Sequence, residues 1–150
     1  MNVAKLPKSL NKGQLFTPLV IQLLMILFLI EFVKGSLLVT VLPVYINRVL
    51  GLSALTVGWA FALQYAGDNL FRTPAGWIVD RSGYRLGIVA GTIIAVLSVF
   101  MLAFARNALW VIAASAMLGI GTSPLWPSVI AGVTEEAGED ARGTIMSIVY

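Results

Sequence analysis

The sequence predicts an all-α integral membrane protein, and three observations predict it. Of its 150 residues 59% are hydrophobic and 11% charged, with mean hydropathy +0.91. A soluble domain holds about 45–50% apolar and roughly 25% charged residues. Apolar runs long enough for a helix to cross a bilayer, about 20 residues, recur along the chain. Most of the charges fall in the short polar segments between those runs. A soluble globule, a disordered tail and a nucleic-acid-binding domain are therefore excluded. The pI near 9.5 reflects ten Lys/Arg against seven Asp/Glu, with no block of like charge. The chain has no Cys and no His. Disulfides, thiolate zinc sites, Cys nucleophiles and the commonest general base are absent with them. Neither an enzyme nor a metal or cofactor site is expected.

Residues 1–16, with Lys5, Lys8 and Lys12, read as a cytoplasmic tail. The first span covers about 17–42 and is ended by Pro43, which lacks the N–H to continue a helix. Its apolar run is too long for a cleaved signal peptide, and no small-x-small site follows. The second span covers about 53–79, with Ser53 as N-cap. The third, about 86–105, and the fourth, about 108–133, carry no charge inside the apolar run, and the fourth contains Pro124 and Pro127. A polar stretch follows, 134–143, and a fifth span begins with 144–150.

Basic residues in short loops set orientation. With the N-terminus inside, Lys5, Lys8, Lys12, Arg81, Arg85 and Arg142 are cytoplasmic, and only Arg48 and Arg106 lie outside. The outer connections are short, so spans 1 and 2, and spans 3 and 4, run antiparallel as neighbours. Small residues recur every fourth position: Gly58, Ala62 and Ala66; Gly87, Gly91 and Ala95; Ser115, Gly119 and Ser123. Such stripes let helices approach closely in lipid. They serve either static packing or sliding in a moving transporter.

Glu31 and Lys34 lie within the first span, Asp68 and Arg72 within the second. A charge at the bilayer centre costs at least about 2.5–3.5 kcal/mol, so these groups are expected to face the interior or a water-filled cavity. Glu31 and Lys34 are three apart and share a face; Gln64, Asp68 and Arg72 are each four apart and form one polar stripe. Two acids and two bases make a formally neutral cluster. It is either a structural ion pair locking two helices, with Arg72 snorkelling to the interface, or a midplane site for substrate and proton, where secondary transporters place theirs. In the second reading Asp68 or Glu31 takes and releases a proton.

The segment after the second span reads Gly76-Trp77-Ile78-Val79-Asp80-Arg81-Ser82-Gly83-Tyr84-Arg85. It resembles the signature of the major facilitator superfamily, as does Ala141-Arg142-Gly143 at the entry to the fifth span. Gly76 suits close packing and Gly83 a tight turn. Asp80 suits a partner helix N-terminus, and Arg81 and Arg85 suit pairing with Glu135, Glu136, Glu139 or Asp140. The resemblance implies that Gly76, Asp80, Arg81, Gly83 and Arg85 act as a cytoplasmic gate latch. It also implies that 17–150 is a partial N-terminal lobe, the C-terminal half being missing. Many proton-coupled drug exporters of the superfamily carry Arg where this chain has Ser115, which weakens that assignment.

A narrower resemblance rests on Glu31-Phe32-Val33-Lys34-Gly35, Asp68, Met117-Leu118-Gly119-Ile120 and Ser123-Pro124-Leu125-Trp126. These are similar to the glycolipid flippase family of lipoteichoic-acid synthesis. The resemblance implies that Glu31, Lys34, Asp68 and Trp126 line a central cavity, and that a diglucosyl-diacylglycerol is exchanged against protons. That family has Arg where this chain has Lys34, and Lys cannot form the same bidentate fork. Trp126 suits either sugar stacking or an interfacial belt; Trp59 and Tyr65 could add to a stacking surface. The function expected is a proton-coupled secondary transporter of the cell membrane, with a lipid or small-molecule substrate. The alternatives are a drug exporter of the same superfamily, a four-helix small multidrug transporter, and a membrane anchor.

Overall fold

The computed structural model describes residues 17–137. The tail 1–16, the fifth span at 144–150, Arg142, Glu139 and Asp140 lie outside the described residues. Among those described, the chain forms helices and short connections only. Helix α1 is Pro18–Val49, α2 is Ala54–Ser82, α3 is Tyr84–Ala103, α4 is Ala108–Thr122 and α5 is Leu125–Ala137. Three stretches are long and apolar enough to cross a membrane: α1, α3, and Ala108–Glu136, which joins α4 to α5. Helix α2 has 29 residues, about 43 Å at the helical rise of 1.5 Å. It has the length to cross but falls short in apolarity, because it carries the stripe Gln64, Asp68, Arg72.

The first helix does not end at Pro43. It runs on to Val49 through two wide-turn segments, Leu37–Val41 and Tyr45–Val49. Wider turns relieve the i→i−4 ladder that a proline interrupts, and Asn47 Nδ2 donates to the Pro43 carbonyl at 2.9 Å. The winding keeps Leu38, Leu42 and Ile46 on one buried face. Thr17 caps the start of α1, its hydroxyl accepting from Val20 N at 3.4 Å. Ser53 does stand at the N-cap of α2, but its side chain makes no capping bond. Helix α2 continues beyond 79 to Ser82, and Gly83 at φ +85° ends it. The fourth span breaks at Ser123–Pro124, and Pro127 falls in the first turn of α5, where its missing N–H costs nothing.

Small residues set the packing. A Cβ at Gly67 would come within 2.9 Å of the Ala116 carbonyl, and one at Gly119 would collide with the Gln64 carbonyl, so α2 and α4 touch backbone to backbone. On the other side of α4, a Cβ at Gly91 would lie 2.7 Å from the Gly121 carbonyl, joining α3 to α4. The stripes of the third and fourth spans are therefore contact seams. That of the second span is not: Gly58 and Ala62 are exposed, and nothing lies within 4 Å of a Cβ at Gly58. The buried seam of α2 is Ala60, Gln64, Gly67 and Asp68. Gly119→Ala is accordingly expected to destabilise the complete protein by about 1–3 kcal/mol, the usual cost of overpacking, whereas Gly58→Ala leaves it unchanged. Unfolding in detergent measures both.

Two apolar clusters form. One joins Leu38, Leu42 and Ile46 of α1 to Ala60, Leu102, Val111 and Leu118. The other joins Val20, Leu23 and Leu27 of α1 to Val129 and Val133 of α5. Lys34 sits on the same buried face of α1, in the gap between the clusters. Much of the exterior is apolar, with Phe28 63%, Phe32 62% and Phe104 74% exposed. Charge within and hydrocarbon without is the arrangement a lipid solvent favours.

Candidate functional site

Lys34 and Asp68 are the midpoints of α1 and α2, and they meet. Lys34 Nζ donates to Glu31 Oε1 at 2.8 Å and to Asp68 Oδ2 at 3.3 Å. Arg72 donates from its guanidinium to Asp68 Oδ1 at 3.2 Å. From α5, Trp126 Nε1 donates to Glu31 Oε1 at 3.1 Å. The five residues expected at the site thus form one chain of hydrogen bonds across three helices: Trp126, Glu31, Lys34, Asp68, Arg72.

Local structure explains the meeting. The i,i+3 and i,i+4 spacings place each acid beside a base of its own helix, and the ion pair that joins α1 to α2 is the one from Lys34 to Asp68. Helix α5 begins just after Ser123–Pro124, and Trp126, its second residue, donates to the α1 carboxylate. The network is graded in exposure. The Asp68 and Lys34 side chains are 3% and 9% exposed, those of Glu31 and Arg72 33% and 34%. Its inner pair is therefore shielded from bulk solvent and its outer members are partly exposed.

Arg72 and Trp126 border a cavity of about 570 Å³ between α2 and α5, walled also by Gly76, Asp80, Thr134 and Glu135. It leads from the network toward the Ser82 end of α2. On the far side of the network, Lys34 also borders an apolar cavity of about 440 Å³ between α1 and α3.

The motif residues fall differently from the expectation. Gly76, Asp80 and Arg81 are in the last turns of α2 and not in a loop. A Cβ at Gly76 would meet Pro127 at 3.7 Å, ordinary contact, so close packing does not require glycine there. Gly83 does make the turn. Among the described residues Arg81 and Arg85 form no ion pair with Glu135 or Glu136. Arg81 lies 3.8 Å above the Trp77 ring, and Arg85 Nε donates to the Tyr84 hydroxyl at 3.3 Å. Aromatic neighbours one to four residues away capture both cations before the acids of α5 do. Trp59 and Tyr65 are half exposed and take no part in the network.

A helical membrane bundle whose buried charges converge at mid-helix belongs to the class of polytopic carrier folds. The chain belongs to the Major Facilitator Superfamily, whose family model matches residues 24–150. The small multidrug alternative falls with that membership. The chain is 30% identical over 131 residues to the proton-coupled antiporter flippase LtaA of Staphylococcus aureus, and 27% identical over 131 residues to that of Staphylococcus epidermidis. Each match covers 87% of this chain and 32% of the relative, so the chain spans about a third of the length of these relatives. No solved structure matches it.

Proposed function

We propose that these residues form part of the first lobe of a proton-coupled secondary transporter in the cell membrane, N-terminus cytoplasmic, working by alternating access and moving a glycolipid. The five-residue network carries the reading. A plain anchor gains nothing from four charged groups at depth, each of which is costly there. In this reading α2 is a further span, its polar stripe turned to the network and away from lipid.

The chemistry follows from charge balance. With both acids ionised the network is neutral, and Lys34 bridges α1 to α2. Protonating Asp68 leaves two cations facing one carboxylate and weakens that bridge. The main backbone approach of α1 to α2 is confined to the Leu42–Val49 end of α1. Loosening the mid-helix bridge therefore releases that part of α1 from α2, while Val20, Leu23 and Leu27 keep it packed on α5. A substrate hydroxyl donates more strongly to the ionised carboxylate than to the protonated one, so proton and substrate compete for Asp68. Trp126 offers a sugar-stacking face beside it, at the head of the 570 Å³ cavity. Gly76, Asp80, Arg81, Gly83 and Arg85 act in this account as the cytoplasmic gate latch. The relatives' name, proton-coupled antiporter flippase, supports the same reading.

The complete transporter in proteoliposomes, given a diglucosyl-diacylglycerol and an imposed pH gradient, is expected to move the lipid between leaflets. Export of a cationic dye with no lipid movement would show the drug exporter instead.

A further inference from the structure

Gln64 and Ser115 are fully buried, each at 0% exposure. Neither amide atom of Gln64 and no hydroxyl bond of Ser115 is satisfied by the protein. A glutamine amide offers two donors and a two-lone-pair acceptor. Buried groups of this kind are paired, and where protein does not pair them ordered water does. Gln64 stands one turn before Asp68 on the same face of α2. Ser115 stands one turn before Gly119, which packs against the Gln64 carbonyl. Helical side chains lean toward the helix start, so Gln64 leans from the level of Gly119 toward that of Ser115. Both unpaired groups converge on the layer one turn to the Ala54 side of Asp68.

We infer that Gln64 and Ser115 hold a buried water that relays protons to Asp68 from the Ala54 side, the outer side in the proposed orientation. This rests on the proposed proton coupling. Asp68 faces Lys34 from α1 and Arg72 from its own helix, Glu31 reaches it only through Lys34, and α4 carries no ionisable group. Each Asp68 oxygen accepts one of these bonds and keeps a second lone pair. In the relay an O–H bond forms at the carboxylate as one breaks at the water, and the water recovers its proton from outer solvent in the outward-open state of the cycle, when the apolar cluster of Leu38, Ala60 and Val111 no longer seals that side. Gln64 and Ser115 hold the oxygen in place and are themselves unchanged.

The test uses the complete transporter in proteoliposomes, with diglucosyl-diacylglycerol as probe and the variants Gln64→Met, Ser115→Ala and Asp68→Asn. Gln64→Met and Ser115→Ala are expected to slow gradient-driven flux by about a hundredfold, the low end of what a positioned proton-transfer group contributes. Gradient-free lipid exchange and the thermal midpoint stay at the wild-type level. Wild-type gradient-driven flux in both variants, with Asp68→Asn inactive, overturns the relay and leaves the proton site standing. Wild-type flux in Asp68→Asn overturns the proton site and the relay together. Equal loss of both fluxes with a lowered midpoint marks a packing role and also overturns the relay.

Discussion

Lys34→Met is expected to lower the stability of the complete protein by about 3–5 kcal/mol, the cost of removing one partner from a buried ion pair. Among the described residues Lys34 is the only cation that pairs with both acids of the network, at 2.8 Å and 3.3 Å. Met matches its stem in length. What it removes is the charge, and it leaves Asp68, 3% exposed, with Arg72 as its one remaining cation. Lys34→Arg keeps the charge and offers a fork wide enough for two carboxylates, so it is expected to retain the fold. Denaturation in detergent measures both. Wild-type stability in Lys34→Met would show that the bridge does not hold α1 to α2.

Asp68→Asn is expected to abolish gradient-driven transport, a loss of at least about a hundredfold, while the protein still folds. Asn is isosteric, but it removes the negative charge between two cations and cannot carry a proton. The network passes from neutral to one positive charge in excess, with Lys34 and Arg72 facing Glu31 alone. The variant therefore mimics the protonated state and holds it. Adding Lys34→Met to Asp68→Asn restores neutrality, so the double variant is expected to be more stable than the two single effects added together, the mark of residues in direct contact. Additive effects would place the two charges in separate roles. Gradient-driven flux at the wild-type rate in Asp68→Asn would remove Asp68 from the proton pathway.

The sequence made the network legible because charge in an apolar run has few places to go. Glu31, Lys34, Asp68 and Arg72 stand out by residue type alone, and helical spacing pairs them within each helix. The link between helices was legible only as equal depth, with Glu31 near the middle of a span at 17–42 and Asp68 near the middle of an antiparallel one at 53–79. That depth shifts once α1 is seen to continue through Pro43: the midpoint moves from near Glu31 to Lys34, the residue that reaches Asp68. A proline between wide turns does not end a helix, and nothing in the residues at 37–49 announces those turns. The seam of α2 was misread because the series of small residues at spacing four, Gly58, Ala62 and Ala66, is not the buried one. The buried register is the one that also holds Gln64 and Asp68, and polarity within a span was the signal that distinguished them. For Arg81 and Arg85, distant acids looked like better partners than the adjacent Trp77 and Tyr84, but a ring one helical turn away or next in sequence costs less to reach.

Release of protons on substrate binding tests the central claim, that proton and substrate share this network, most directly. The complete transporter, in weakly buffered detergent near neutral pH, is mixed with diglucosyl-diacylglycerol and the pH is followed. Competition for Asp68 predicts that binding displaces protons and acidifies the solution, and that Asp68→Asn binds the lipid with no pH change. Saturating lipid binding by the wild-type protein without proton release would contradict it.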